Sequence, residues 1–534
     1  MMHCFHGKHT YKLALAALST VVVLGGAFCV VQQQTTSVEA KAVPSAQIND
    51  LPITDEQYRD ASASDLAQMI RDGKVTSQQL IEHASALVEQ ENPDLNAVIS
   101  LREDKALKEA GAMKDTGQPF YGVPILIKGL GQQLKGESNT NGLKPLKGKT
   151  ADKTSDYVKR LQSLGFVIIG QTNYPELGLT NVTKSKLYGD AHNPWNPKYN
   201  TGGSSGGGVA SLAKSIVPVT TGNDAGGSLR IPASWSGVIG LKPTQGVIVG
   251  DDTVPSSVNF ANAKNVSDLK KYFDGMINED NRDELVKEPT QDLKKYPIAY
   301  STKSPVGTKV SKDAIKAVKQ TVKFLRAQGY TVVKKDAPVD GEKLMKTYYK
   351  ESTPSGTSAN KLIKEKTGKN MKYKDVSPMT WALYQADKKQ PKSTEKQIAK
   401  ENELVDRQMT DFHKKYPLYL TPTTAKTAAK NSDPAYLPKY TKRLHQISKL
   451  DHKKQIQLIY DAWMHGLAKT PFTQLANVSG EPALSLPTYV SKKGLPLGVQ
   501  FEAAKGQDQL LLEIGQLFQD KGQLQFLDDH LADK

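Results

Sequence analysis

Hydrophobic positions along this chain follow two periods in turn. Thr76-Ser77-Gln78-Gln79 has the capping-box form, in which the Thr hydroxyl accepts the N3 amide and Gln79 reaches back to the Ncap N–H. Leu80, Ile81, Ala84, Leu87 and Val88 then recur at helical spacing, and Asn92-Pro93 is expected to end that helix. Residues 103–114 predict another helix, with Ala106, Leu107 and Ala110 on one side. Tyr121-Gly122-Val123-Pro124-Ile125-Leu126-Ile127-Lys128-Gly129 is a short, β-branched apolar run bounded by glycines, which reads as a buried strand. An amphipathic helix at 154–164 and a strand at Phe166-Val167-Ile168-Ile169-Gly170 follow. Strands alternating with helices predict an α/β fold: a single large domain with a central mixed, largely parallel sheet covered by helices on both faces.

Beyond Pro255 the pattern changes. Residues 262–296 are charged and helical in tendency, Tyr296-Pro297-Ile298-Ala299-Tyr300 reads as a strand, and 311–327 as an amphipathic helix. From about 340 to 415 the chain is lysine-rich and predicts helices and loops over the core. Strand signals return at Tyr419-Leu420-Thr421-Pro422-Thr423 and Ala483-Leu484-Ser485-Leu486-Pro487. Gly498-Val499-Gln500-Phe501 reads as a final short strand and 507–520 as a closing helix. No internal repeat is present.

The N-terminal apolar segment has a different meaning. Lys8 and Lys12 precede Leu13–Val31, and Val38-Glu39-Ala40 and Ala40-Lys41-Ala42 carry small residues where a signal peptidase reads them. Residues 1–40 are therefore expected to be a signal peptide, with an uncleaved membrane anchor as the alternative. Residues 41–60 read as a linker and 61–528 as the folded domain, with 260–415 a variable, substrate-side region. Both cysteines, Cys4 and Cys29, lie in the leader, so the mature chain is expected to lack disulfides, a thiolate nucleophile and a cysteine-based metal site. His3, His6 and His9 lie there too and are discounted as metal ligands.

At 534 residues, with 38% hydrophobic and 24% charged residues, the chain is long enough to bury a large core. Its formal charge is +16. Without residues 1–40 it keeps 69 basic and 54 acidic residues, or +15. That surplus favours anionic surroundings such as cell-wall polymers. No nucleic-acid recognition motif or aromatic-studded basic stripe accompanies it. The expected setting is secreted or cell-surface.

Candidate chemistry concentrates between Asn200 and Ile231. Ser204 and Ser228 each follow a Gly-Gly pair, and the apolar run Ile216-Val217-Pro218-Val219 lies between them. Glycines beside a serine let backbone N–H groups approach a ligand closely. Lys128, closing its strand, is either a snorkelling surface residue or a desolvated base. His192, alone in the turn-rich loop Gly189–Pro197, is read as a surface residue.

These segments resemble the amidase signature family, serine hydrolases of the C–N bond. The resemblance rests on Gly122-Val123-Pro124 through Lys128, Asn193-Pro194-Trp195-Asn196-Pro197, Gly202-Gly203-Ser204-Ser205-Gly206-Gly207, Asp224 through Arg230, and Ser236 through Thr244. Weaker matches reach Gly480-Glu481-Pro482-Ala483-Leu484-Ser485-Leu486-Pro487. The resemblance implies Ser228 as nucleophile, Ser204 as bridging cis-serine and Lys128 as base. It also implies an oxyanion hole from the N–H groups of Ala225, Gly226, Gly227 and Ser228, and no metal or cofactor. Asp224 and Arg230 are expected to hold the loop through charge-assisted hydrogen bonds. The chain departs from the pattern twice: Gly129 stands where the family usually has Asp, and Ala225 where it commonly has Thr.

Three rival readings accompany this one. Ser211-Leu212-Ala213-Lys214, Ser257-Val258-Asn259 and Lys366-Thr367-Gly368 mimic, in order, the short motifs of penicillin-recognising serine enzymes. An amidotransferase subunit of the same family is cytoplasmic, which the leader opposes. A catalytically weak surface protein that binds wall polymers is the third, left open by Gly129. The favoured expectation is an exported amidase that cleaves a linear carboxylic amide through an acyl-enzyme, on a small-molecule or wall-derived substrate.

Overall fold

The computed structural model describes residues 52–250, 256–287 and 292–530. The expected leader, its cysteines and the first part of the expected linker lie outside them. Eleven strands form one sheet: β1 (Val98–Leu101), β2 (Pro124–Lys128), β3 (Val167–Thr172), β4 (Val219–Asp224), β5 (Ile239–Lys242), β6 (Val258–Ala263), β7 (Ile298–Tyr300), β8 (Val332–Lys334), β9 (Leu418–Pro422), β10 (Ala483–Val490) and β11 (Pro496–Ala503). Their order across the sheet is β1-β3-β2-β4-β6-β5-β10-β11-β9-β7-β8. The sheet is mixed, as expected of this α/β chain. β3, β2 and β4 run parallel, as do β9, β7 and β8. The strands joining these blocks pair antiparallel, including the β10–β11 hairpin.

The expected elements form with shifted ends. All five β2 residues are buried, Lys128 included, which fits an apolar run with neighbours on both sides. The helix begun by the Thr76 capping box spans Ser77–Leu95, so Asn92-Pro93 does not end it. Pro93 lies in the last turn, and Asn92 holds the chain that leaves the helix, its side-chain carbonyl accepting the N–H groups of Ala97 and Val98 at 2.7 and 2.8 Å. Asn96 then closes the helix in the left-handed region, with φ of 45°. Residues 55–60, expected as linker, form a capped helix whose Tyr58 is buried and donates to the Ile216 carbonyl at 3.0 Å. The final strand, expected as four residues, extends over eight. β6 was not expected; its Val-Asn-Phe-Ala-Asn-Ala sequence lacks a strong apolar run.

The apolar run before the second serine enters β4, which ends at Asp224. The first glycine loop passes directly into the wholly buried helix Gly206–Ala213. Glycine is required there because a side chain at Gly207 would collide with the backbone of Asn173 and Ala97. Lys128 ends β2 and Asp224 ends the neighbouring parallel strand β4, so the fold brings both to the same side of the sheet's edge.

Candidate active site

Lys128 is fully buried, and its Nζ lies 2.7 Å from Ser204 Oγ, 3.0 Å from Ser205 Oγ and 2.7 Å from Asn223 Oδ1. Burial away from water disfavours the ammonium form and pulls the lysine down to about 7, against a weaker opposing pull from the Asp224 carboxylate. The snorkelling reading of this lysine is therefore excluded. The Gly203–Ser204 peptide is cis.

The hydrogen-bond inventory fixes how a neutral Lys128 is used. A neutral amine has two N–H donors and one lone pair. Asn223 Oδ1 can only accept, because the same amide gives its Nδ2–H to the Leu130 carbonyl at 2.8 Å. Ser205 directs its own hydroxyl toward the Asn223 carbonyl at 3.4 Å, so it too accepts from the lysine. Both N–H groups are thereby taken, and the lone pair is left for the Ser204 hydroxyl. Ser205 stands in a quoted sequence segment without a role, and Asn223 is not singled out there at all. Each directly adjoins an assigned residue, Ser204 or Asp224.

Ser228 sits half-buried on the second loop, and its carbonyl accepts the Ser205 N–H at 3.3 Å, tying the two serine loops together. Its hydroxyl makes no hydrogen bond among the described residues. Asp224 and Arg230 brace this loop from below. Both are fully buried and meet in a two-pronged ion pair at 2.9 and 3.0 Å. Burial alone would raise the Asp224 carboxyl, but the Arg230 guanidinium overrides that and holds it far below the usual carboxylate range. Asp224 also accepts the Gly227 N–H at 2.6 Å and the Leu229 N–H at 3.1 Å. Gly227, expected among the oxyanion donors, thus spends its N–H on the loop's own support. Ala225, Gly226 and Ser228 keep theirs out of the bonds that hold the loop among the described residues.

Two residues absent from the sequence reading cover the loop. Thr473 donates to the Gly226 carbonyl at 2.8 Å, and a side chain at Gly226 would strike the Tyr348 hydroxyl. Tyr348 comes from the 260–415 region, on the helix Gly341–Glu351. Behind Arg230 lies a second buried polar cluster. Arg230 Nη1 donates to Gln500 Oε1 at 2.8 Å, and Gln500 Nε2 donates to Glu502 at 2.5 Å. Burial, then the nearby Glu481, pushes the Glu502 carboxyl up to about 8.

Gly129 has a steric explanation. A Cβ there would lie 2.6 Å from Tyr174 Cε1, so the buried Tyr174 ring fills the place a larger residue would take. Lys128 keeps its three contacts without a neighbouring carboxylate at 129. The penicillin-type rival fails on geometry. Ser211 lies mid-helix, fully buried, and its hydroxyl is committed to the Gly207 carbonyl at 3.0 Å, while Lys366 is exposed near the end of the helix Pro354–Thr367. His192 bonds the Pro197 carbonyl at 3.0 Å and braces its own loop.

The family model described as Amidase matches residues 79–512. The chain is 46% identical over 489 residues to a lipoamidase of Enterococcus faecalis, covering 91% of this chain and 66% of that enzyme's own length. It is 32% identical over 484 residues to a 6-aminohexanoate-cyclic-dimer hydrolase of Paenarthrobacter ureafaciens, covering 86% of this chain and 93% of that protein. A solved structure of 6-aminohexanoate cyclic dimer hydrolase complexed with substrate superposes with a TM-score of 0.73 at 27% identity, over 85% of this chain and 95% of that one.

Proposed function

For a chain that belongs to the amidase signature family, hydrolases of non-peptide C–N amide bonds, we propose a relay in which Ser228 attacks, Ser204 carries the proton and Lys128 receives it. The supporting observation is a buried lysine, pulled down to about 7 by burial, whose Nζ lies 2.7 Å from the Ser204 hydroxyl. As Ser228 Oγ bonds to the amide carbon, its proton passes to Ser204 Oγ, and the Ser204 proton passes to Lys128 Nζ. The negative charge on the carbonyl oxygen is met by the N–H groups of Ala225, Gly226 and Ser228. Breaking the C–N bond returns a proton through Ser204 to the departing amine. Water then attacks the ester, and the same path run again releases the acid and restores Ser228. The Ser204–Ser228 contact closes when substrate arrives, since catalytic hydrogen bonds commonly tighten only in the complex.

The substrate is an amide of an unbranched aliphatic acid, as the names of the lipoamidase and aminohexanoate relatives suggest. The protein is exported: Lys8, Lys12, the apolar segment Leu13–Val31 and the small residues at Ala40 and Ala42 support that reading. Hydrolysis of lipoamide and of simple aliphatic amides by the chain lacking residues 1–40 tests the activity. Lys128→Ala and Ser204→Ala are each expected to lose about 100- to 10,000-fold in kcat/KM, the usual worth of a positioned base. Full activity in Lys128→Ala would refute the relay.

A further inference from the structure

The peptides that carry the catalytic loop from Asp224 to Ser228 are held mostly by their carbonyl oxygens. The Asp224 carbonyl accepts from Asn477 Nδ2 at 2.9 Å, and the Gly226 carbonyl accepts from the Thr473 hydroxyl at 2.8 Å. The Gly227 carbonyl accepts the N–H groups of Arg230 and Ile231 at 3.0 and 2.7 Å. In a trans peptide the N–H points opposite to the C=O, and among the described residues only the Gly203–Ser204 peptide is cis. Tying down the Asp224 and Gly227 carbonyls therefore turns the N–H groups of Ala225 and Ser228 away from those ties. The Gly226–Gly227 peptide between them is clamped at both ends, because Asp224 Oδ1 accepts its N–H at 2.6 Å.

Two of these ties come from one distant segment. Thr473 caps the short helix Gln474–Ser479, and Asn477 follows four residues later, so the two share a face. Both are buried. The Asn477 amide has a single workable orientation: its Oδ1 accepts from Arg230 Nη2 at 2.8 Å, and a guanidinium only donates, so Nδ2 is the atom turned to the loop. We propose that Thr473 and Asn477 are positioning residues of the reaction, which aim the N–H groups of Ala225 and Ser228 at the oxygen that turns negative during attack. This rests on Ser228 being the nucleophile. Oxyanion donors must lie within a few tenths of an ångström of their ideal distance from that oxygen, and the bond strengthens as the charge develops. A peptide freed to rotate therefore loses stabilisation in the transition state and little in the bound substrate, so the loss falls on kcat.

The test compares Thr473→Val, nearly isosteric but without the donor, with Thr473→Ser, which keeps it. With lipoamide as substrate, Thr473→Val should lose about 10- to 100-fold in kcat, less than the roughly 100- to 1000-fold of a deleted donor, with KM within about twofold. The acid limb of the pH profile, set by Lys128, should stay near 7. Thr473→Ser should recover kcat to within about threefold of the parent. Asn477→Ala should show the same split between kcat and KM. Fluorophosphonate labelling needs no knowledge of the substrate, because its phosphoryl oxygen enters the same hole; its rate at Ser228 should fall at least about tenfold in Thr473→Val and return in Thr473→Ser. Labelling and kcat at the parent's level in Thr473→Val, a rise in KM alone, or a loss that serine does not restore would overturn the proposal. Ser228 labelled normally in both the parent and Thr473→Val marks a failure of this inference alone, whereas an adduct on another serine of the parent takes the relay down with it.

Discussion

Asn223→Asp puts the reasoning about Lys128 under the most strain. Asn223 Oδ1 lies 2.7 Å from Lys128 Nζ, and the substitution places a carboxylate oxygen there with almost no change in shape. The buried lysine sits near 7 because the charged form has lost its water. An opposite charge at contact distance returns much of that lost stabilisation, and such neighbours typically move a group by about 1 to 3 pH units. The acid limb of the kcat/KM–pH profile should therefore move from about 7 to between about 8 and 10. At pH 7 the variant should be slower by about 5- to 500-fold, with the loss recovered in alkaline buffer. Asn223→Ala removes the same hydrogen bond without adding charge and should move the limb by less than about one unit. The assay is amide hydrolysis under subsaturating substrate from pH 5 to 10, which reports on the free enzyme. A limb that stays near 7 in Asn223→Asp, or an equal loss at every pH, would refute the claim that a neutral Lys128 is the working base.

Gly129→Asp should destabilise the protein by about 1 to 3 kcal/mol, through overpacking against Tyr174, and Tyr174→Ala should recover part of that by vacating the ring's place; denaturant melts of both and of the double variant check it. Glu502→Gln should change how stability varies with pH. The Glu502 carboxyl is raised from 4.5 to about 8, so between those values the folded chain holds a proton the unfolded chain has released. Its stabilising contribution is complete below 4.5 and lost as pH rises through 8, at a slope of up to about 1.4 kcal/mol per pH unit. The groups facing it, Glu481, His413, Lys242 and Arg230, share that field, and the variant should gain on the wild type between pH 5 and 8 in denaturant melts.

Much of this was legible in the sequence because local chemistry dictated it. The run Pro124–Lys128 had to be a buried strand, and the Thr76 box had to start a helix. The three residues of the proposed relay came from the resemblance, and the structure brings Lys128 and Ser204 into contact while the Ser228 hydroxyl makes no hydrogen bond among the described residues. What stayed hidden depended on meetings between distant segments. Ser205 and Asn223 have roles only because β2, the first serine loop and the end of β4 converge on one amine. Gly129 looked like a missing carboxylate until Tyr174, 45 residues later, was seen to fill its place. β6 escaped because its asparagines read as loop, yet Asn262 is satisfied inside the sheet by the carbonyls of Leu229 and Ile239, both at 3.1 Å. Pro93 misled for the opposite reason: a strong local signal placed the helix end short of Asn96, which closes the helix in the left-handed region.

The central claim is that Ser228, and neither Ser204 nor Ser205, forms the bond to substrate. Labelling the intact protein with a fluorophosphonate and mapping the modified peptide tests it most directly. A single adduct on Ser228 is expected, absent in Ser228→Ala and strongly slowed in Lys128→Ala. An adduct on Ser204, Ser205 or Ser211, or undiminished labelling of Lys128→Ala, would contradict it.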